Sequence, residues 1–90
     1  MIARQAFYEG RVQGVGFRFT VKQVARGFDV TGWVRNLEDG RVELYVQGER
    51  EEVEAFLEGV QESELKSHIK KVDVFPANTD AGIRGFEIVR

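Results

Sequence analysis

The run Gly10-Arg11-Val12-Gln13-Gly14-Val15-Gly16-Phe17-Arg18 combines a glycine-relieved loop with an arginine at the mouth of a helix. A loop that opens into a helix aims several unpaired backbone N–H groups in one direction, and the helix dipole adds partial positive charge there. The residue types therefore predict an anion site. Arg18 sharpens that expectation, because a cation at a helix N-terminus is disfavoured by the dipole. A phosphate seated between the amides and the guanidinium would reverse the penalty. Arginine suits the task because its planar fork can bond two phosphate oxygens at once.

Two familiar phosphate motifs fail against this loop. A dinucleotide fingerprint needs a third glycine where the chain has Phe19. The nucleotide P-loop needs Gly-Lys-Ser/Thr at its end, where the chain has Gly16-Phe17-Arg18. No carboxylate lies in the loop to hold magnesium. What remains is a short cradle of amides over Gln13, Gly14, Val15, Gly16, Phe17 and Arg18, sized for one phosphoryl group. A second segment, Gly32-Trp33-Val34-Arg35-Asn36, ends in an asparagine at the entrance to an Asp39-Gly40 turn. An asparagine amide can accept from a water and donate to a phosphate oxygen, but it is neither a base nor a nucleophile. Arg18 and Asn36 together orient a reaction without covalent machinery, which restricts them to phosphoryl groups whose bond is already activated.

These residues need elements to hold them. Residues 2–12 read as a strand, with the glycine loop following at 13–17. Phe17, Val21, Val24, Ala25 and Phe28 recur at helical spacing, so 18–26 reads as a helix ended by Gly27 in the left-handed region. A strand follows over 29–36, with Val30 and Val34 on one face and Thr31, Trp33 and Arg35 on the other. Asp39-Gly40 is a hairpin signal. The run 41–47 alternates, with Val42, Leu44 and Val46 against Arg41, Glu43, Tyr45 and Gln47. Val53, Phe56, Leu57 and Val60 mark a second helix over 50–61, with Glu49, Glu51 and Glu52 at its dipole-favoured start. Strands are expected at 69–75 and 85–89. The order β-α-β-β-α-β with a short fifth C-terminal strand is the α+β ferredoxin-like sandwich, an antiparallel sheet carrying two helices on one face. Right-handed crossovers place its first and third strands side by side in the centre.

Bulk properties exclude whole classes of function. Ninety residues make one domain, 1–90, with one core. The net charge of -2 offers no basic excess for nucleic acid. The third strand also lacks the stacked aromatics of an RNA-recognition strand. The absence of cysteine excludes thiolate nucleophiles and cysteine-ligated zinc, and the single His68 cannot build a histidine-rich metal site. No run approaches the roughly 20 apolar residues of a membrane span, and no signal-peptide pattern opens the chain. A cytoplasmic monomer is expected.

Val12-Gln13-Gly14-Val15-Gly16-Phe17-Arg18 and Gly32-Trp33-Val34-Arg35-Asn36 resemble the two signature segments of the acylphosphatases. Their spacing, the Asp39-Gly40 turn, the Val46-Gln47-Gly48 run and the terminal Phe86-Glu87-Ile88 extend the resemblance over the whole chain. It implies hydrolysis of acyl phosphates to a carboxylate and inorganic phosphate, without metal or cofactor. Arg18 and the amides of 13–17 would bind the phosphoryl group, and Asn36 would position the attacking water. The alternative is a non-catalytic phosphate or carbamoyl-phosphate binding module, because similar domains open the large hydrogenase-maturation carbamoyltransferases.

The remaining residues receive structural readings. Trp33 and Tyr45 are packing or surface aromatics. Arg11 and Arg35 are solvated, His68 is a loop residue, and 76–85 carries no assigned role.

Overall fold

The fold is built on the alternation in the third strand. Val42, Leu44 and Val46 are each 0% exposed, so one face of this strand is wholly sealed. The computed structural model describes residues 1–90. In chain order the elements are β1 (Ile2–Gly10), α1 (Phe17–Ala25), β2 (Val30–Asn36), β3 (Val42–Gly48), α2 (Arg50–Glu62), a short 3-10 turn (Glu64–His68), β4 (Ile69–Ala77) and β5 (Phe86–Ile88). The sheet order is β4-β1-β3-β2-β5. β1 and β3 pair antiparallel at the centre, from Ile2 opposite Gly48 to Tyr8 opposite Val42. This is the expected ferredoxin-like arrangement.

Both helices present the stripes read from the sequence. Phe17, Val21 and Ala25 of α1 and Val53, Phe56 and Val60 of α2 are buried against Ala6, Tyr8, Val34, Leu44 and Val46. Burying a side chain of this size stabilises by roughly 1.5–3 kcal/mol each relative to exposure. Phe56 links the layers, with its ring 6.2 Å from Phe28 and 5.5 Å from Phe86.

Four expectations need correction. Gly27 does not end α1 in the left-handed region. Arg26 closes the helix in right-handed geometry, and the Gly27 N–H donates to the Val24 carbonyl at 3.0 Å. The helix simply tightens into a 3-10-like turn. β5 is not antiparallel to its neighbour. It pairs parallel with β2, with Gly32 opposite Phe86 and Val34 opposite Ile88. The reason is topological: the chain leaves β4 at one end of the sheet, crosses to the far edge at that same end, and so must run back along β2.

The third correction concerns the helix-free face. Glu43 is 4% exposed, Tyr45 8% and Gln47 4%, so the polar side of β3 is buried too. The segment 78–85 accounts for part of that cover. Asp80 N–H donates to Gln47 Oε1 at 2.7 Å, and Gln47 Nε2 donates to the Asp80 carbonyl at 2.8 Å. The Tyr45 hydroxyl donates to the Asn78 carbonyl at 2.5 Å, and its ring stacks on Trp33 at 5.8 Å. Arg35 is not a free solvated cation, since its Nε donates to Glu43 Oε1 at 2.7 Å and its guanidinium lies 5.2 Å from the Trp33 ring centre. Gln5 Nε2 donates to the other Glu43 oxygen. Buried polar groups on this face are thus paired, as their desolvation requires.

Gly32 shows how closely these strands approach. A Cβ placed there would lie 1.9 Å from the Tyr45 carbonyl oxygen. That position admits only glycine, which explains its place in the Gly32-Trp33 segment on steric grounds.

Candidate active site

Two buried side chains pin the loop after β1. Val12 is 0% exposed on one side of it and Phe17 is 2% exposed on the other. Between them Gly14 and Gly16 adopt φ of 77° and 76°, the left-handed region that favours glycine. Gly16 is the residue from which α1 starts, and no side chain caps that helix. None of the backbone N–H groups of residues 13–19 donates to an acceptor within the chain. The first paired donor is Thr20, whose N–H reaches the Gly16 carbonyl at 3.0 Å. A Cβ added at Gly14 or Gly16 would meet nothing within 4 Å, so open space lies beside both glycines.

The contrast with α2 is instructive. That helix follows Glu49 and opens on Arg50, but Glu51 and Glu52 in its first turn are acids that satisfy the dipole. The first turn of α1 holds no acid and carries Arg18 instead. Arg18 is half-buried and takes part in no ion pair, whereas Arg35 and Arg41 are held by Glu43 and Asp39 at 2.7 and 2.8 Å. One uncompensated guanidinium therefore stands beside a set of uncompensated N–H donors.

Asn36 is the last residue of β2 and pairs with Val42 in register. Strand alternation puts it on the same face as Val34, which is the helix-covered face. β2 runs parallel to β1, because both are antiparallel to β3. The helix α1 leaves the C-terminal end of β1 and returns to the start of β2. Its N-terminus therefore stands at the C-terminal end of β2, and the fold brings Arg18, the 13–17 loop and Asn36 to one end of the sheet. Asn36 is half-buried there.

The side chain of Gln13 does something its position in the loop did not announce. Its Nε2 donates to the Leu37 carbonyl at 2.8 Å and to the Arg41 carbonyl at 2.9 Å. These are the base residues of the β2–β3 hairpin, where Leu37 N–H also donates to the Arg41 carbonyl at 2.8 Å. Asp39 closes the same turn, accepting from Arg41 N–H at 3.1 Å and from Arg41 Nε at 2.8 Å. Those bonds from Arg41 hold the Asp39 carboxyl below its ordinary range.

No surface cleft is lined by Arg18 or Asn36. The largest, about 590 Å³, lies beside the loop and is lined by Gly10, Arg11, Ser67, His68, Ile69 and Lys70. The helices α1 and α2 are both too short to cross a membrane, and no helix is long and apolar enough to do so.

The chain is similar to known proteins along almost its entire length. The sequence model of the acylphosphatase family matches residues 4–88. The chain is 39% identical to an acylphosphatase of Acaryochloris marina over 90 residues, covering 100% of this chain and 96% of the relative. The crystal structure of acylphosphatase from Bacillus subtilis superposes with a TM-score of 0.89 at 34% identity and full coverage of both chains. HypF from T. kodakarensis superposes at 0.85 with 30% identity, covering 100% of this chain but 12% of that one. On a family match along almost its entire length, the chain belongs to the acylphosphatase family.

Proposed function

We propose that this chain hydrolyses the carboxyl-phosphate bond of acyl phosphates without a metal, using the amides of residues 13–17 and Arg18 to bind the phosphoryl group and Asn36 to orient water. The observation that carries this reading is the pairing of unsatisfied N–H donors over 13–19 with the unpaired Arg18 at the end of the sheet where β2 delivers Asn36. Water attacks phosphorus as the carboxylate leaves, so R–CO–O–PO₃²⁻ and H₂O become R–COO⁻ and H₂PO₄⁻. The carboxylate is a good leaving group. Alignment and charge stabilisation then suffice, without a covalent intermediate. With no carboxylate or histidine in the loop, a substrate phosphate oxygen takes the proton of the attacking water.

In this reading residues 1–90 act as one domain and one monomer in the cytoplasm. The acyl group meets no enclosing pocket, so selectivity for it is loose. A second reading is a phosphate or carbamoyl-phosphate binding module without turnover, since a segment of HypF, a protein solved in a phosphate- and nucleotide-bound form, is similar to this chain at 29% identity. Hydrolysis of benzoyl phosphate by the purified protein separates the two. The expected result is turnover that is unchanged by a chelator and competitively inhibited by inorganic phosphate. Tight phosphate binding with no turnover above background would establish the binding module instead.

A further inference from the structure

The loop that follows β1 and the hairpin that follows β2 come from strands that are not neighbours, since β3 lies between them. Gln13 bridges this gap. Its Nε2 donates to the carbonyls of Leu37 and Arg41 at 2.8 and 2.9 Å, which uses both N–H donors of one amide on two turn carbonyls. Leu37 directly follows Asn36, and Gln13 directly precedes Gly14. The bridge therefore joins the residue next to the water-orienting amide to the residue next to the first left-handed glycine of the cradle.

We infer that Gln13 is a positioning residue, whose side chain sets the register between the phosphoryl cradle and Asn36. This role is distinct from a backbone amide in the cradle, and it rests on the assignment of cradle and Asn36 made above. In-line attack requires the water and the phosphorus to be held at a fixed separation and angle. A displacement of about 1 Å can cost on the order of a hundredfold in rate. The cradle itself does not need the bridge. Val12 and Phe17 hold its ends in the core and α1 holds Arg18. Binding of phosphate and alignment of attack should thus separate when the bridge is cut.

The hairpin keeps its shape without Gln13, because Leu37 N–H and Gly40 N–H remain paired with the Arg41 and Leu37 carbonyls at 2.8 and 3.2 Å, and Asp39 still accepts from Arg41. Replacing the glutamine amide by a thioether of similar length removes both donors and retains the volume. Gln13→Met is therefore the primary variant, and Gln13→Leu is the second should the first pack poorly.

The test is steady-state hydrolysis of benzoyl phosphate by the full chain, with inorganic phosphate as competitive inhibitor, for wild type, Gln13→Met, Asn36→Ala and the double variant. The expected result is a fall in kcat of tenfold or more for Gln13→Met, with the inhibition constant for phosphate within about threefold of wild type. The double variant should be hardly slower than Asn36→Ala, because misalignment costs nothing once the aligned group is gone. A kcat within twofold of wild type would overturn the inference. So would a loss of phosphate affinity as large as the loss of kcat, or additive losses in the double variant. Wild-type rates in Asn36→Ala would instead refute the assignment of Asn36 on which the inference stands, so the two failures are distinguishable.

Discussion

Gln47 and Asp80 lie 33 residues apart and exchange two hydrogen bonds, one from Asp80 N–H to Gln47 Oε1 at 2.7 Å and one from Gln47 Nε2 to the Asp80 carbonyl at 2.8 Å. The glutamine imitates a neighbouring strand's backbone. It lets an irregular segment lie across a sheet face that would otherwise expose the middle of β3. The contact sits toward the end of the sheet opposite Asn36, since Gln47 pairs with Thr31 near the start of β2.

Replacing Gln47 by leucine should therefore separate stability from catalysis. The Asp80 N–H and carbonyl lose their partners, and a hydrogen bond of this kind contributes about 0.5–1.5 kcal/mol net. Urea unfolding should show a drop of that size. Benzoyl phosphate turnover at 25 °C should stay within about twofold of wild type. A variant as stable as wild type would mean that the 78–85 crossing does not depend on this pair.

Arg18 and Asn36 should show the reverse. Arg18→Ala and Asn36→Ala should each lower kcat/KM by a hundredfold or more, the equivalent of roughly 3 kcal/mol in the transition state. Both should unfold near the wild-type urea midpoint, because neither side chain has an ion pair to lose. Arg18→Lys should stay poor, since a point charge does not replace a guanidinium fork that bonds two phosphate oxygens. Full activity in Arg18→Lys would show that only charge matters at this position.

Gly16 allows a test of the cradle itself. Its φ of 76° is unfavourable for alanine by about 1–2 kcal/mol, yet no atom lies within 4 Å of the added Cβ. Gly16→Ala should lose about that much stability and should also bind phosphate more weakly, as the methyl enters the open space beside the amides. Gly16→Asn tolerates the left-handed conformation better. It should recover part of the stability without recovering phosphate affinity. Isothermal titration with inorganic phosphate, paired with urea curves, reads both quantities. Unchanged phosphate affinity in both variants would move the phosphoryl site away from Gly16.

The pH dependence of stability follows from the buried phenols. Tyr8 is 1% exposed beneath Phe17, with ring centres 5.2 Å apart, and burial pushes its hydroxyl pKa well above 10.0. Tyr45 is raised as well, by burial first and then by the Asp80 carboxylate. A raised folded pKa means that the unfolded chain loses its proton first. The contribution is complete below pH 10 and declines as pH rises beyond it. Urea unfolding between pH 8 and 12 should show that decline, and Tyr8→Phe should make it shallower. Asp39 acts at the other end with the opposite sign. Its folded pKa lies below 3.8, so the turn contact it makes with Arg41 is present above that value and lost as pH falls through the lower folded one. An equally steep alkaline decline in Tyr8→Phe would remove Tyr8 as its source.

Much of this molecule is local and so was legible in the sequence. The apolar stripes of α1 and α2 and the alternation of β3 repeat with the period of their own element, which places core residues such as Phe17, Phe56 and Leu44 without knowledge of the fold. The glycines and arginine of 10–18 state their chemistry through residue type alone, because a left-handed turn and a helix start are short-range structures. The order of elements then implied a central β1–β3 pair, and the resemblance of both signature segments named the chemistry. Long-range pairing decided the rest. Glu43 and Gln47 read as the outward side of a strand, and their burial depends on Arg35, Gln5 and a segment 33 residues away. The direction of β5 depends on which end of the sheet the chain leaves from β4. The Gln13 bridge depends on β3 standing between β1 and β2. Spacing along a chain carries no record of which polar group will meet which carbonyl across a sheet, and only the packed structure settles those pairs.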